Sequence, residues 1–273
     1  MSEPKEPAFF RAEYERGPGY YSETYFGHWS GQPALGDAEP RNLQLPFVAD
    51  RIARLIPGAR HFVICRNPVE RAIASWWQNA RVGIDDRPFE AAIEANFERL
   101  EKGPRFEGEE GARVYAGLFA DGGARTLVRH ASYIDGGHYA EHVERFAGLF
   151  GADRVKVIFA EDLRRDPDGV VADCVRFLGL EPVRLKDKTA QNVSTSRGAA
   201  MTIRRIANLP GVGQLPLSLR KPVRRIFERL GRRSGGATPE VSASMRARLT
   251  EHFRPHNARL EILTGRDLSH WNG

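Results

Sequence analysis

The feature that most constrains the fold is a junction. The apolar, β-branched run Ala59 to Cys65 (ARHFVIC) passes without a break into RNPVERAIASWWQ, which takes up helical periodicity from Pro68 onward. A short apolar run leading straight into a helix reads as a strand of a parallel sheet, buried on both faces. Asn67 is placed to cap the helix, Pro68 suits its first position, and Glu70 is placed to close the box back onto the cap.

The same pattern returns later. A second strand is predicted over Arg154 to Ala160. Before it, Tyr139, Val143, Phe146, Ala147 and Phe150 recur at helical spacing, and after it Val170, Val171, Cys174, Val175 and Phe177 do so up to Gly179. Strand alternating with helix argues for an α/β fold, a doubly wound parallel sheet flanked by helices, whose ligand crevice lies beyond the carboxyl ends of the strands. Near the C-terminus, Thr238-Pro239 predicts the cap and first turn of a helix reaching about His252. Pro255 then interrupts it and Gly265 ends the next.

With 273 residues, 41% hydrophobic and 28% charged, the chain is expected to form a single domain over 1–273. Its longest apolar runs fall far short of the roughly 20 residues that cross a bilayer, so no membrane span is expected. The start, MSEPKEPAFF, has neither the basic nor the apolar part of a secretory signal, which predicts a cytoplasmic protein. Cys65 and Cys174 belong to no CxxC or Cys/His ligand spacing and are expected to be reduced and buried.

The net charge of +6 is unevenly spread, because Ile203 to Arg233 carries nine basic residues against the single acid Glu228. Segment 203–237 therefore reads as a basic loop or helix insertion. It is either a solvated helix face or a surface for an anionic partner such as a glycan, a lipid headgroup or nucleic acid.

At the strand-to-helix junction, Arg66 stands beside the N–H groups of a helix start, where the guanidinium fork and the helix dipole both favour a phosphate. The alternative is that Arg66 pairs with a carboxylate and Asn67 merely caps.

The segment RNPVERA resembles the 3′-phosphate-binding segment of sulfotransferases that use 3′-phosphoadenosine 5′-phosphosulfate (PAPS), especially the branch related to heparan sulfate and other carbohydrate sulfotransferases. The likeness continues through GHYAEHVERF (Gly137 to Phe146), VKVIFAEDLRRDP (Val155 to Pro167), RFLGL (Arg176 to Leu180) and the ending HFRPHNARLEILTGRDLSHW, and covers Lys5 to Trp271. The resemblance implies a P-loop NTPase-like sheet and transfer of a sulfuryl group from PAPS to a hydroxyl of a carbohydrate-like acceptor. The product would be 3′-phosphoadenosine 5′-phosphate, with no metal required and no nucleic acid partner.

Site residues follow from the same resemblance. Arg66 would bind the 3′-phosphate. The serine that accompanies it in the family falls on Ala74 here, and Ser75 is the neighbouring hydroxyl, one step of about 100° around the helix. Arg197-Gly198 occupies the place of a basic loop that closes over the phosphate. Glu6, in KEPAFF (Lys5 to Phe10), matches the general base of the glycan-modifying branch, and a neutral alcohol needs such a group to take its proton.

Two departures stand out. Ala38, in GDAEPRN, replaces a lysine near the acceptor, and no glycine-rich loop followed by Lys and Ser/Thr occurs in the chain. The glycines at 17–19, 122–123 and 235–236 lack the following lysine and hydroxyl. The expectation is a sulfotransferase domain that begins just after its 5′-phosphosulfate loop, with a non-catalytic binding protein for an anionic glycan or nucleotide as the alternative. His252 and His256 are four apart, but Pro255 intervenes and no third ligand is near in sequence, so no metal is expected. Of Trp76 and Trp77, at least one is expected in the core.

Overall fold

The computed structural model describes residues 1–81, 84–119, 133–181 and 240–273. Segments 182–239 and 120–132 lie outside the described residues, and with them Arg197, Gly198, the basic segment 203–237 and Thr238-Pro239.

Two strands, β1 (His61–Cys65) and β2 (Val155–Phe159), pair in parallel with His61 opposite Val155 and Cys65 opposite Phe159. Parallel neighbours require a crossover. Here it runs through α4 (Pro68–Arg81), α5 (Phe89–Lys102), α6 (Gly108–Phe119) and α7 (Tyr139–Phe150). Before β1 come α1 (Gly17–Phe26), the single turn α2 (Arg41–Gln44) and α3 (Pro46–Leu55); after β2 come α8 (Ala160–Arg165), α9 (Pro167–Phe177) and α10 (Ala243–Thr264). The α/β alternation is as predicted. Among the described residues, however, the sheet has two strands rather than the wider doubly wound array expected.

Strand β1 also differs from its reading as doubly buried. Exposure alternates along it: Val63 (2%) and Cys65 are covered by Tyr139, Ala140, Val143 and the C-terminal Leu260, Leu268 and Trp271, whereas Ile64 on the other face is 56% exposed. Phe62 meets Phe177 edge-on at 5.2 Å, the main aromatic contact on that side. An apolar run alone does not tell whether a second layer covers the sheet.

Among the described residues, three apolar clusters carry the core. One joins Phe9, Phe10, Tyr21 and Tyr25 to Phe47 and Val48 of α3, another packs α4 and α5 against Met245, Leu249 and Phe253 of α10, and the third surrounds the strands. A fully buried Phe or Leu in such a cluster contributes about 1.5–3 kcal/mol.

That packing explains why α10 is one continuous 22-residue helix through Pro255. Met245, Leu249, Phe253, Asn257 and Leu260 form one buried stripe on both sides of the proline, which outweighs the lost backbone bond. The cap is Ser242, whose Oγ accepts from the Met245 N–H at 3.3 Å, and Gly265 at φ 64° ends the helix in the left-handed region. The expected break at Pro255 is thus corrected.

The route into α7 is fixed by buried polar groups. Asp85, with a fully buried side chain, accepts from Arg87 through two guanidinium nitrogens (2.9 and 2.8 Å) and from Tyr133 Oη (2.9 Å). Asn96 Oδ1 accepts the N–H groups of Tyr133 and Ile134 at 2.9 and 3.2 Å. These bonds set the chain that leads through Gly136 and Gly137 to His138. A Cβ on Gly136 would fall 2.0 Å from Arg71 Nη2, so the glycine lets the guanidinium lie against the backbone.

Candidate functional site

The junction read from sequence forms as a helix start with its cap in place. Asn67 Oδ1 accepts the N–H groups of Val69 (2.9 Å) and Glu70 (3.2 Å), while its amide reaches the Trp271 carbonyl at 3.5 Å. Glu70 turns instead to Arg246 of α10, 2.5 Å away, rather than back onto the cap. Arg66 sits at the carboxyl end of β1, its backbone N–H donating to Tyr139 Oη at 3.4 Å.

Around this point opens a cleft of about 900 Å³. Helix α4 shows it one face, Arg71, Ala74, Ser75 and Gln78, at the three- and four-residue spacing of a helix, while Val69, Ala72, Ile73 and Trp76 on the other face enter the core. Both Ala74 and Ser75 therefore border the cleft. Glu6 borders the same space, so the structure brings together Arg66, Ser75 and Glu6. A smaller recess of about 300 Å³ adjoins it at the helix start, bounded by Arg66, Asn67, Glu70, Ala74 and Arg164.

Glu6 is exposed and has φ 58°, a left-handed conformation uncommon for a residue with a Cβ. Its segment is pinned on both sides. The Ser2 N–H donates to Gly36 O (2.8 Å) and the Glu3 N–H to Tyr25 O (3.0 Å), while Phe9 and Phe10 are buried. Tyr25 Oη in turn donates to Glu13 at 2.5 Å.

Sequence reasoning missed several groups of the cleft wall. Arg41, Arg71, Arg99, Arg105 and Arg145 join Arg66 there. Arg99 Nη2 lies 2.8 Å from Asp135, and Arg145 reaches the Leu43 carbonyl and His142 Nδ1, each at 3.4 Å. Burial works against the charge of Arg71 and Arg145, and for Arg71 the neighbouring Arg66 adds to that. Acidic neighbours offset part of this, Asp135 at Arg71 and Glu141, Asp50 and Glu107 at Arg145. The helical spacing of Arg71 from Asn67 was the one local signal for any of these.

Histidines gather on another wall. His138 Nε2 lies 2.9 Å from His252 Nε2, and His138 stacks on His256 with ring centroids 3.9 Å apart. Burial holds His138 down to about 3, helped by His256, and His252 and His142 down to about 4. Glu141, 3.2 Å from His256 Nδ1, is held at about 2 chiefly by that contact. His138 is the third imidazole that the sequence does not show beside His252 and His256.

Other residues near the site have structural partners. Trp76 is buried and its indole N–H donates to the Arg87 carbonyl at 3.2 Å, while Trp77 packs against the same core. Glu161 and Asp162 serve the C-terminal segment, accepting from Trp271 Nε1 (3.3 Å) and Arg266 (2.9 Å). Cys65 is buried, but Cys174 is only half-buried, and both are free thiols. No helix among the described residues is long and apolar enough to cross a membrane.

The fold is α/β, and the cleft at the end of its parallel strand β1 is lined by six arginines together with Glu6, Glu39, Glu107, Asp135 and Glu141. The chain belongs to the sulfotransferase domain family, whose profile matches residues 53–209. It is 25% identical over 268 residues to human heparan sulfate glucosamine 3-O-sulfotransferase 3A1, covering 98% of this chain and 55% of that protein. It is 26% identical over 224 residues to mouse bifunctional heparan sulfate N-deacetylase/N-sulfotransferase 4, covering 81% of this chain and 21% of that one. The chain thus spans only part of these curated relatives. In fold it is similar to a solved sulfotransferase from Alicyclobacillus acidocaldarius, with a TM-score of 0.65 and 24% identity over 100% of this chain and 87% of that structure.

Proposed function

We propose that this sulfotransferase uses PAPS as donor and a carbohydrate-like hydroxyl as acceptor. The observation that carries the reading is the shared cleft: Arg66 at the helix start and Glu6 on the N-terminal segment border one space of about 900 Å³. That is ample for a small-molecule substrate. The acceptor class is supported by the heparan sulfate relatives.

In this reading Arg66 and the neighbouring helix N–H groups hold the 3′-phosphate, with Ser75 Oγ as a further donor. Glu6 takes the acceptor proton as the acceptor oxygen forms its bond to sulfur. The bond from sulfur to the 5′-phosphate oxygen breaks, and 3′-phosphoadenosine 5′-phosphate leaves with that electron pair. Most of the acceleration would come from positioning and charge stabilisation.

The second reading is a domain that binds an anionic glycan or nucleotide without transfer. Transfer from radiolabelled PAPS to a heparan-type acceptor, assayed for wild type and Glu6→Gln, separates the two. The enzyme reading expects turnover that falls by about 10²–10⁴ in the variant at unchanged nucleotide affinity. Nucleotide binding without turnover in the wild type would establish the second reading.

A further inference from the structure

We infer that His138, His252 and His256 form a site for a divalent transition-metal ion of the zinc type, with a coordination position open to the cleft. The inference stands on the geometry of these residues and does not rest on the sulfotransfer reading.

One ring nitrogen from each of the three histidines lies within 4.8 Å of the others, and the closest pair, His138 Nε2 and His252 Nε2, is 2.9 Å apart. Zinc–nitrogen bonds of 2.0–2.1 Å at tetrahedral angles place ligand nitrogens about 3.3 Å apart, a value between those two distances. Binding then requires one ring of the His138–His256 stack, which lies within 7° of parallel, to turn until its nitrogen points at the shared ion.

The scaffold is built for such a set. His252 and His256 are one turn apart on α10, hence on the same face, and α10 is held rigid by its buried stripe. His138 immediately precedes α7, and its position is set by the buried bonds that fix Tyr133 and Ile134.

A second group completes the pattern. Glu141 presents one oxygen 3.2 Å from His256 Nδ1 and the other 3.9 Å from His138 Nδ1. At His256 this carboxylate accepts from Nδ1 and leaves Nε2 free to ligate, the usual outer partner of a histidine metal site. Three imidazoles with no thiolate suit zinc, copper, nickel or cobalt rather than magnesium or calcium.

Three protein ligands leave a tetrahedral ion one position for water or a substrate oxygen. His138 and His252 border the cleft, so that position faces the space shared with Arg66 and Glu6. An ion there would add positive charge beside the arginines and offer a direct ligand to a carboxylate, sulfate or hydroxyl of the acceptor.

The test is titration of the chelator-treated 273-residue protein with Zn²⁺ by calorimetry and with Co²⁺ by absorption, in a buffer free of phosphate. The expected result is one equivalent bound, a four-coordinate Co²⁺ spectrum, and loss of affinity by more than about 100-fold in His256→Gln and in His252→Ala. Glu141→Gln should weaken binding by about 10–100-fold while leaving stoichiometry at one. His256 is half-exposed, so its variant should fold, and circular dichroism checks this. Failure to bind stoichiometrically, or binding that survives the double variant His252→Ala/His256→Gln, overturns the site.

Discussion

Arg51 Nη1 donates to the backbone carbonyl of Phe10 at 2.9 Å, which ties α3 to the N-terminal segment that carries Glu6. The same guanidinium reaches Glu109 of α6 through Nη2 at 2.7 Å and lies over the Tyr14 ring at 4.6 Å. One buried cation thus joins three parts of the chain. Removing it leaves the Phe10 carbonyl and a partly buried carboxylate without their partner, so Arg51→Met should cost about 2–4 kcal/mol in urea unfolding. Glu109 adds a pH signature. Its hydrogen bond to Arg51, then that to Arg54, holds it at about 2 against an ordinary 4.5. A depressed acid contributes stability that is present above about 4.5 and is lost as pH falls toward 2. That acid-side loss should be smaller in the variant, and a variant as stable as wild type would show that the clasp is ornamental.

His61 gives the opposite kind of test. It opens β1, packs on Phe146 and Phe150 at 4.9 and 4.1 Å, and its buried Nε2 has no hydrogen-bond partner among the described residues. Burial lowers its pKa to about 4 from 6.5. The neutral ring's contribution is complete above about 6.5 and shrinks as pH falls toward 4, where the folded state must take up the charge. Asp37, raised to about 6 by burial, acts in the other direction over part of this range, so the informative quantity is the difference between variant and wild type. His61→Phe should be more stable than wild type, with the gap widening by about 1–3 kcal/mol between pH 7 and pH 4. A constant gap across that range counts against a buried neutral imidazole.

Much of the site was legible where its chemistry is local. Asn67, Pro68 and Arg66 are neighbours in the chain, and the cap, the first turn and an arginine at the strand end bordering the cleft can be read from adjacent residues. What was not legible depends on convergence. His138 meets His252 across 114 residues, and Arg145 meets Leu43 across 102, by packing that no local period encodes. Pro255 misled for the same reason: a residue that breaks an isolated helix is carried through by Phe253 and Asn257 on the buried stripe. The second face of β1 misled because Ile64 looks the same in sequence whether or not a layer covers it.

Strand β1 turns that ambiguity into a measurement. Val63 faces the cluster around Tyr139 and Trp271, while Ile64 points to the open face. Val63→Ala should cost about 1–3 kcal/mol in chemical unfolding, from lost transfer energy and the cavity left behind. Ile64→Thr keeps β-branching and should change stability by less than about 0.5 kcal/mol, while improving solubility by breaking an exposed apolar patch. Equal losses at the two positions would mean that both faces are covered in solution.

The nucleotide reading is tested most sharply by the two residues that share the cleft at the start and along the face of α4. Arg66 stands at the strand end beside the Asn67 cap, and Ser75 lies two turns further on. If the 3′-phosphate sits at the helix start, Arg66→Ala removes a charge-assisted contact and should weaken 3′-phosphoadenosine 5′-phosphate by about 1.5–3 kcal/mol in calorimetry. Adenosine 5′-phosphate, which lacks the 3′-phosphate, should bind wild type and variant alike. Ser75→Ala should cost about 0.5–1.5 kcal/mol, the worth of a neutral donor, and Ala74→Ser should recover part of it, because both positions border the cleft. The discriminating outcome is the selectivity. Should Arg66→Ala weaken both nucleotides equally, the arginine acts through the general field of the cleft, and the phosphate site lies at another of the arginines that line it.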